Sequence, residues 1–225
     1  FARKGLKMAI AIFDNLADQP SNLRAVKNYQ TLATNYDATC TRVEALRIEI
    51  IHMLQLQPGE TVFDIACGTG QTLPLLAKAV GASGCVIGVE LSPEMAAQAE
   101  IRISQVPQAS VANMPMVDFA PTNKADAIIL CYAQDVLQCP KTIDQLITSA
   151  KPGARIAIVG MQTLPWWWGW PVNFFNLYRA RRDLTTYANM DKPWRLLEQR
   201  GAKLHLVRTA LLGSAYLVVG NLPIY

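Results

Sequence analysis

Residues 61–70 read Thr61-Val62-Phe63-Asp64-Ile65-Ala66-Cys67-Gly68-Thr69-Gly70, an apolar run suited to a strand that leads straight into a glycine-rich turn. Small residues at 66, 68 and 70 let the backbone turn tightly and approach a ligand closely. The helical stretch 73–80 then presents its N-terminus to the same place. A second apolar run, 84–90, ends on Glu90, twenty residues after Gly70. A carboxylate there accepts both hydroxyls of a ribose, the recurrent device of dinucleotide and nucleoside sites. The residues themselves leave two nucleoside cofactors open. A dinucleotide fingerprint wants a third glycine for close helix packing, and Gln71, Thr72 and Leu73 follow Gly70 instead.

Outward from this loop the pattern repeats. Ser92-Pro93-Glu94 starts a helix, with Ser as N-cap and Pro in the first turn. Residues 125–131 and 155–160 are near-continuously apolar, as parallel strands covered on both faces are. Strands alternating with helices predict an α/β, doubly wound, mostly parallel sheet. Residues 204–208 and 215–219 read as a terminal antiparallel strand pair. Residues 1–57 read as N-terminal helices: Met8 to Phe13 form an apolar patch, and Val43, Leu46, Ile50, Ile51 and Leu54 share one helix face before Gln57-Pro58-Gly59-Glu60 turns the chain. Residues 161–195, rich in Trp, Pro, Asn and Arg, show no strand period and read as an insertion.

The chain has 225 residues, of which 51% are hydrophobic and only 17% charged, enough for one large domain and against a disordered chain. Its net charge of +4 is diffuse, and Arg179, Arg181 and Arg182 form the one dense basic stretch, so no nucleic-acid partner is expected. Five cysteines without a C-x-x-C pair and only two histidines argue against a disulfide framework or a zinc site. Cys67, Cys85 and Cys131 are expected to be small buried hydrophobes, His52 and His205 structural, and the location cytoplasmic.

Longer matches join these signals. Residues 58–70 as a whole, Gly88-Val89-Glu90-Leu91-Ser92-Pro93-Glu94-Met95, Asn113-Met114-Pro115-Met116, Ala125-Asp126-Ala127-Ile128-Ile129, Lys151-Pro152-Gly153-Ala154-Arg155 and the upstream Asn35-Tyr36-Asp37 together resemble the class I S-adenosylmethionine-dependent methyltransferases, across residues 29–160. The resemblance implies a Rossmann-like sheet with a methyltransferase domain over 58–225 and a helical lid over 1–57. It implies S-adenosylmethionine as methyl donor, leaving as S-adenosylhomocysteine, and a small organic acceptor with an N, O, S or C nucleophile.

Position by position, the resemblance has Ala66, Gly68 and Gly70 flank the methionine moiety. Asp64 orients the loop or meets the ammonium, and Tyr36 closes over the carboxylate end. Glu90 holds the ribose, Leu91 and Met95 line the adenine, and Cys131 ends the fourth strand beside the donor. Ser110 stands near the place of an adenine-reading Asp, so that task falls to backbone near Ala112 and Asn113. Methyl transfer is an in-line displacement and needs a base only if the acceptor loses a proton. Tyr132, Gln134 and Asp135, after the fourth strand, are the candidate catalytic groups, with Asp135 read as base or helix cap; many relatives carry His where Gln134 stands. Tyr29, Trp166, Trp167, Trp170 and Arg179 are placed at the acceptor, the tryptophans offering rigid aromatic area. Membrane contact through this segment, a lipid or quinone acceptor, and a non-catalytic cofactor binder are the competing expectations. A monomer or homodimer is expected.

Overall fold

The computed structural model describes residues 20–32 and 36–224, so the apolar patch 8–13, the first nineteen residues of the expected lid and Asn35 lie outside the described residues. The elements run α1 (Asn22–Leu32), α2 (Tyr36–Cys40), α3 (Glu44–Met53), β1 (Thr61–Ile65), α4 (Leu73–Val80), β2 (Cys85–Glu90), α5 (Pro93–Ile103), β3 (Ala109–Asn113), β4 (Ala125–Cys131), α6 (Gln134–Leu137), α7 (Pro140–Thr148), β5 (Ala150–Met161), α8 (Trp166–Ala180), α9 (Arg195–Gln199), β6 (Lys203–Ala210) and β7 (Ala215–Asn221).

One seven-stranded sheet has the order β3-β2-β1-β4-β5-β7-β6. The first five strands are parallel, and β7 runs antiparallel between β5 and β6. The doubly wound sheet with its terminal antiparallel strand is thus observed. The chain winds outward from β1 to β3, then returns to β4 on the other side of β1. A crevice must open between the carboxyl ends of β1 and β4, where the winding reverses.

Alternation along the strands feeds two cores. Phe63, Ile65, Ile128, Leu130, Ile156 and Ile158 point to one face, where Ile143, Leu146 and Leu197 cover them. Val62, Ala127, Ile129, Ala157 and Val159 point to the other, under Leu46, Ile50, Leu73 and Leu76. So α3 belongs to the core, with Ile50 fully buried. Within residues 1–57, α1 and α2 contribute Tyr29 and Tyr36 to the cavity linings, while α3 packs against the sheet and sends only Arg47 toward them.

One further expectation needs correction, that of a buried Cys85, and two elements go unread in the sequence. The edge strand β3, Ala-Ser-Val-Ala-Asn, has no apolar run because it pairs only with β2, and the sequence hides it. Cys85 is exposed, since it opens β2 at the end of the sheet remote from the crevice. The insertion contains a fifteen-residue helix, α8, whose inward stripe is Gly169, Asn173 and Leu177. These residues follow one another at i, i+4, i+8, but two of the three are not apolar, so the 3.6-residue period is invisible to hydropathy.

Asn173 is 1% exposed. Its Oδ1 accepts from the backbone N of Leu164 at 2.8 Å, and its Nδ2 donates to the carbonyl of Leu164 at 2.8 Å. A Cβ on Gly169 would stand 2.3 Å from Cβ of Leu164, so only glycine lets the helix lie this close to the chain leaving β5. Asn173→Ala should strand two buried backbone groups and lower stability by about 2–5 kcal/mol, read by denaturant unfolding.

Candidate active site

Two backbone positions mark the crevice. Ala66 after β1 and Tyr132 after β4 both have positive φ, 58° and 59°, although neither is glycine. Such strain persists where the surroundings hold it and clusters at functional sites. Between these turns lies a cavity of about 150 Å³, lined among others by Ala66, Gly68, Glu90, Leu91, Met95 and Cys131.

Glu90, at the end of β2, is buried. One carboxylate oxygen accepts from Gly68 N at 2.9 Å and the other from Ser92 N at 2.8 Å. Burial pushes its pKa up, against the pull of these backbone donors. Each oxygen keeps a further acceptor direction, so the carboxylate fixes the glycine turn and still has capacity for a diol. An ideal Cβ on Gly68 would meet nothing nearer than the Tyr36 ring at 3.9 Å, so the space above this residue is open cavity. Gly70 has another task. Its Cβ would lie 2.9 Å from that of Ala99 at a φ of +73°, and Gly70 is absent from the linings of the cavities at the crevice, so its missing side chain lets the helix behind the loop pack closely.

Below the glycine turn, a smaller recess of about 20 Å³ is lined by Asp64, Arg47, Gln71 and Tyr36 among others. Asp64 is 1% exposed; Thr72 donates its hydroxyl to Oδ2, while Oδ1 is buried with no hydrogen-bond partner among the described residues. Burial pushes Asp64 up to about 7, with the Thr72 hydrogen bond and Arg47 opposing and Glu90 adding to the rise. Arg47 reaches the recess from α3 and donates to the Gln71 amide oxygen. Sequence reasoning missed it, although a cation on the inward face beside Leu46 and Ile50 was its visible signal. Asp37 ties α2 to the loop: it accepts from Thr69 Oγ1 at 2.6 Å and pairs with Arg102, while its neighbour Tyr36 faces the cavities.

A carboxyl with a raised folded pKa binds its proton more tightly folded than unfolded. Between an unfolded value near 4 and the folded value of about 7, stability therefore falls as pH rises. Asp64→Asn should remove this slope and raise the melting temperature of the ligand-free protein at pH 8, a result that thermal scans at pH 5 and pH 8 check.

The second cavity, about 1060 Å³, adjoins the first and shares with it Tyr29, Tyr132, Gln134 and Asp183. Arg179 lines it as expected. Gln134 is buried and donates to the carbonyl of Ala188 at 3.1 Å. Asp135 lines the first cavity and caps no helix; it accepts from Thr185 Oγ1 at 2.6 Å, Thr185 N at 3.0 Å and Thr186 N at 3.3 Å. It anchors the insertion to the sheet, and burial raises its pKa against the Thr185 hydrogen bonds.

Just before that anchored loop, Asp183 faces both cavities, and no group among the described residues hydrogen-bonds its carboxyl. Burial pushes it up to about 6, restrained by Arg182 and Arg179. Tyr29 of α1 donates its hydroxyl to the Asp183 carbonyl at 3.0 Å, closing the cavity roof. Asp183 escaped sequence reasoning because it sits in a segment with no motif. The tryptophans are placed otherwise than expected: Trp166, Trp167 and Trp170 line neither cavity and point outward, because Gly169, Asn173 and Leu177 take the inward stripe. Ala112 and Asn113 are also absent from these linings. Asn113 Nδ2 instead donates to the Glu90 carbonyl at 2.9 Å, and Pro115, Met116 and Val117 form the wall. His52 and His205 are exposed and remote from the cavities. Among the described residues no group of His, Cys, Asp and Glu gathers as metal ligands.

Residues 62–153 match the family model described as a methyltransferase domain. The chain is 33% identical over 166 residues to a 2-phytyl-1,4-naphtoquinone methyltransferase of Synechococcus elongatus, covering 71% of this chain and 64% of that one. It is 28% identical over 137 residues to a demethylmenaquinone methyltransferase of Symbiobacterium thermophilum, covering 56% and 55%. The chain therefore spans less than two thirds of these curated relatives. In fold it is similar to an S-adenosylmethionine-dependent methyltransferase from Aquifex aeolicus, with a TM-score of 0.56, 20% identity and coverage of 99% and 98%. The N-methyltransferase NodS of Bradyrhizobium japonicum, in complex with S-adenosylhomocysteine, gives a TM-score of 0.63 at 15% identity, covering 87% and 98%. The sheet order, the glycine turn and the buried carboxylate that ends β2 thus stand in a chain whose residues 62–153 match a methyltransferase domain, and which is similar in sequence to quinone methyltransferases and in fold to S-adenosylmethionine-dependent methyltransferases.

Proposed function

We propose that the protein transfers a methyl group from S-adenosylmethionine to a small, apolar aromatic acceptor that carries a hydroxyl, of the hydroquinone class. The observation that carries this reading is the meeting of two cavities near the ends of β1 and β4, one bordered by the glycine turn and Glu90 and one roomy and largely apolar. The names of the sequence relatives supply the quinone class. A quinone ring is electron-poor, so its reduced form is the nucleophile.

The residues present fit the donor. Glu90 would take the ribose hydroxyls, Leu91 and Met95 would pack the adenine, and the unpartnered Oδ1 of Asp64 would meet the ammonium, with Arg47 in the same recess for the carboxylate. S-adenosylmethionine, when bound, supplies an electrophilic methyl on sulfur. The protein's task is alignment: Tyr132, Gln134 and the Tyr29 roof define the passage through which a nucleophile must approach. Asp183 stands in that passage with an ionisable carboxyl, ready to take the proton the acceptor releases as its new bond to carbon forms. Asp135 holds the Asp183 loop in place through Thr185 and Thr186.

Calorimetric titration tests the donor half. S-adenosylmethionine and S-adenosylhomocysteine should bind in the micromolar range and NAD should not; binding of NAD alone would refute the proposal.

A further inference from the structure

Helix α8 leaves most of its aromatic surface in solvent. Trp167 is 85% exposed, Trp170 61% and Phe175 55%, with Phe174 and Tyr178 exposed as well. The helix contains no Asp or Glu, and its C-terminal end carries Arg179, followed by Arg181 and Arg182. Arg181 lies 3.7 Å over the Tyr178 ring, so the cations and the aromatic rings share one surface. A second element adds to it. The β6–β7 turn projects Leu211 and Leu212, 51% and 82% exposed, both at positive φ. Leu211 and Leu212 line the rim of the 1060 Å³ cavity together with Pro171 and Phe175 of α8. Two separate elements thus expose large apolar groups around one cavity mouth, beside a basic cluster.

We infer that this rim is a membrane-docking surface, whose occupant is the interface of an anionic lipid bilayer. Tryptophan and tyrosine prefer the headgroup level, where an apolar ring body and a polar edge are both accommodated. An amphipathic helix lying in that plane buries its aromatic face, while adjacent arginines meet anionic headgroups. Patches of this kind on a soluble surface mark an interaction site. The charge selects the occupant, since the rim offers arginines and no carboxylate from α8. The cavity mouth opens toward the bilayer, so a lipophilic acceptor reaches the site without crossing water. This last step deepens the proposed function and rests on it, whereas docking itself does not.

The test is co-sedimentation of the full chain with vesicles of phosphatidylcholine alone or with 30% phosphatidylglycerol, together with tryptophan emission. Binding should require the anionic lipid, weaken with salt and shift emission to the blue. Trp167→Ser with Trp170→Ser should reduce partitioning at least tenfold, and Leu212→Ser should reduce it severalfold. Arg181→Gln with Arg182→Gln should cost about fivefold per charge on anionic vesicles. Circular dichroism melting like that of the parent chain shows that each variant is folded. No binding to anionic vesicles at low salt, or binding indifferent to these changes, would overturn the inference. A dimer in solution that the tryptophan variant converts to monomer, without vesicle binding, would also overturn it and assign the face to a second copy. Turnover on a water-soluble hydroquinone reads the proposed function separately, without vesicles.

Discussion

Asp183→Asn should lower kcat about 10²- to 10⁴-fold while leaving the affinity for S-adenosylhomocysteine unchanged. Its carboxyl faces both cavities, and nothing among the described residues ties it up, in contrast to Asp135, whose two oxygens are held by Thr185 and Thr186. A base acts only when deprotonated. With burial holding Asp183 near 6, the parent rate should be full above that value and fall as pH drops through it. The Asn variant should lose this acidic limb along with the rate. Asn preserves the backbone carbonyl that receives Tyr29, so the cavity roof stays in place and the melting temperature should change little. Asp183→Glu, which restores a carboxyl, should recover part of the rate. A variant with unchanged kcat and an unchanged pH profile would remove Asp183 from the chemistry.

Glu90→Ala should weaken binding of S-adenosylmethionine about 10- to 150-fold, the range for losing hydrogen bonds to a charged acceptor. The side chain has two connected tasks. It accepts from Gly68 N and Ser92 N, which fixes the turn, and in the proposed function its remaining lone pairs would receive the ribose hydroxyls. Glu90→Gln separates them. An amide keeps one acceptor oxygen but puts an NH2 against one of the two backbone donors, so part of the turn's support is lost together with the charge. The loss should accordingly fall between those of the parent and the Ala variant. Calorimetry with S-adenosylhomocysteine reads the series, and equal affinity across it would refute the ribose assignment.

The sheet was legible because strands buried on both faces are written as unbroken apolar runs, and β1, β2, β4 and β5 are all of that kind. The edge strand β3, none of whose residues is fully buried, passes as a polar stretch. Helix α8 was illegible for a related reason. Its inward stripe holds glycine and asparagine, its aromatic residues face out, and Pro171 stands inside it. The glycine turn and the carboxylate it rests on were equally readable, since Gly68 and Glu90 are set by the local geometry of one loop and one strand end. The groups proposed to take the acceptor's proton and to meet the donor's carboxylate, Asp183 and Arg47, reach the crevice from the insertion and from α3. Nothing in their immediate sequence announces that journey. Gly70 gives the opposite lesson: a motif residue conspicuous in sequence serves packing against Ala99.

Methyl transfer itself is the most direct test. The purified chain, given methyl-labelled S-adenosylmethionine and a lipophilic naphthohydroquinone kept reduced, should place the label on the acceptor and release S-adenosylhomocysteine in equal amount. Binding of S-adenosylhomocysteine without label transfer to this acceptor or to simpler hydroxylated aromatics would contradict the account and leave a cofactor-binding protein in its place.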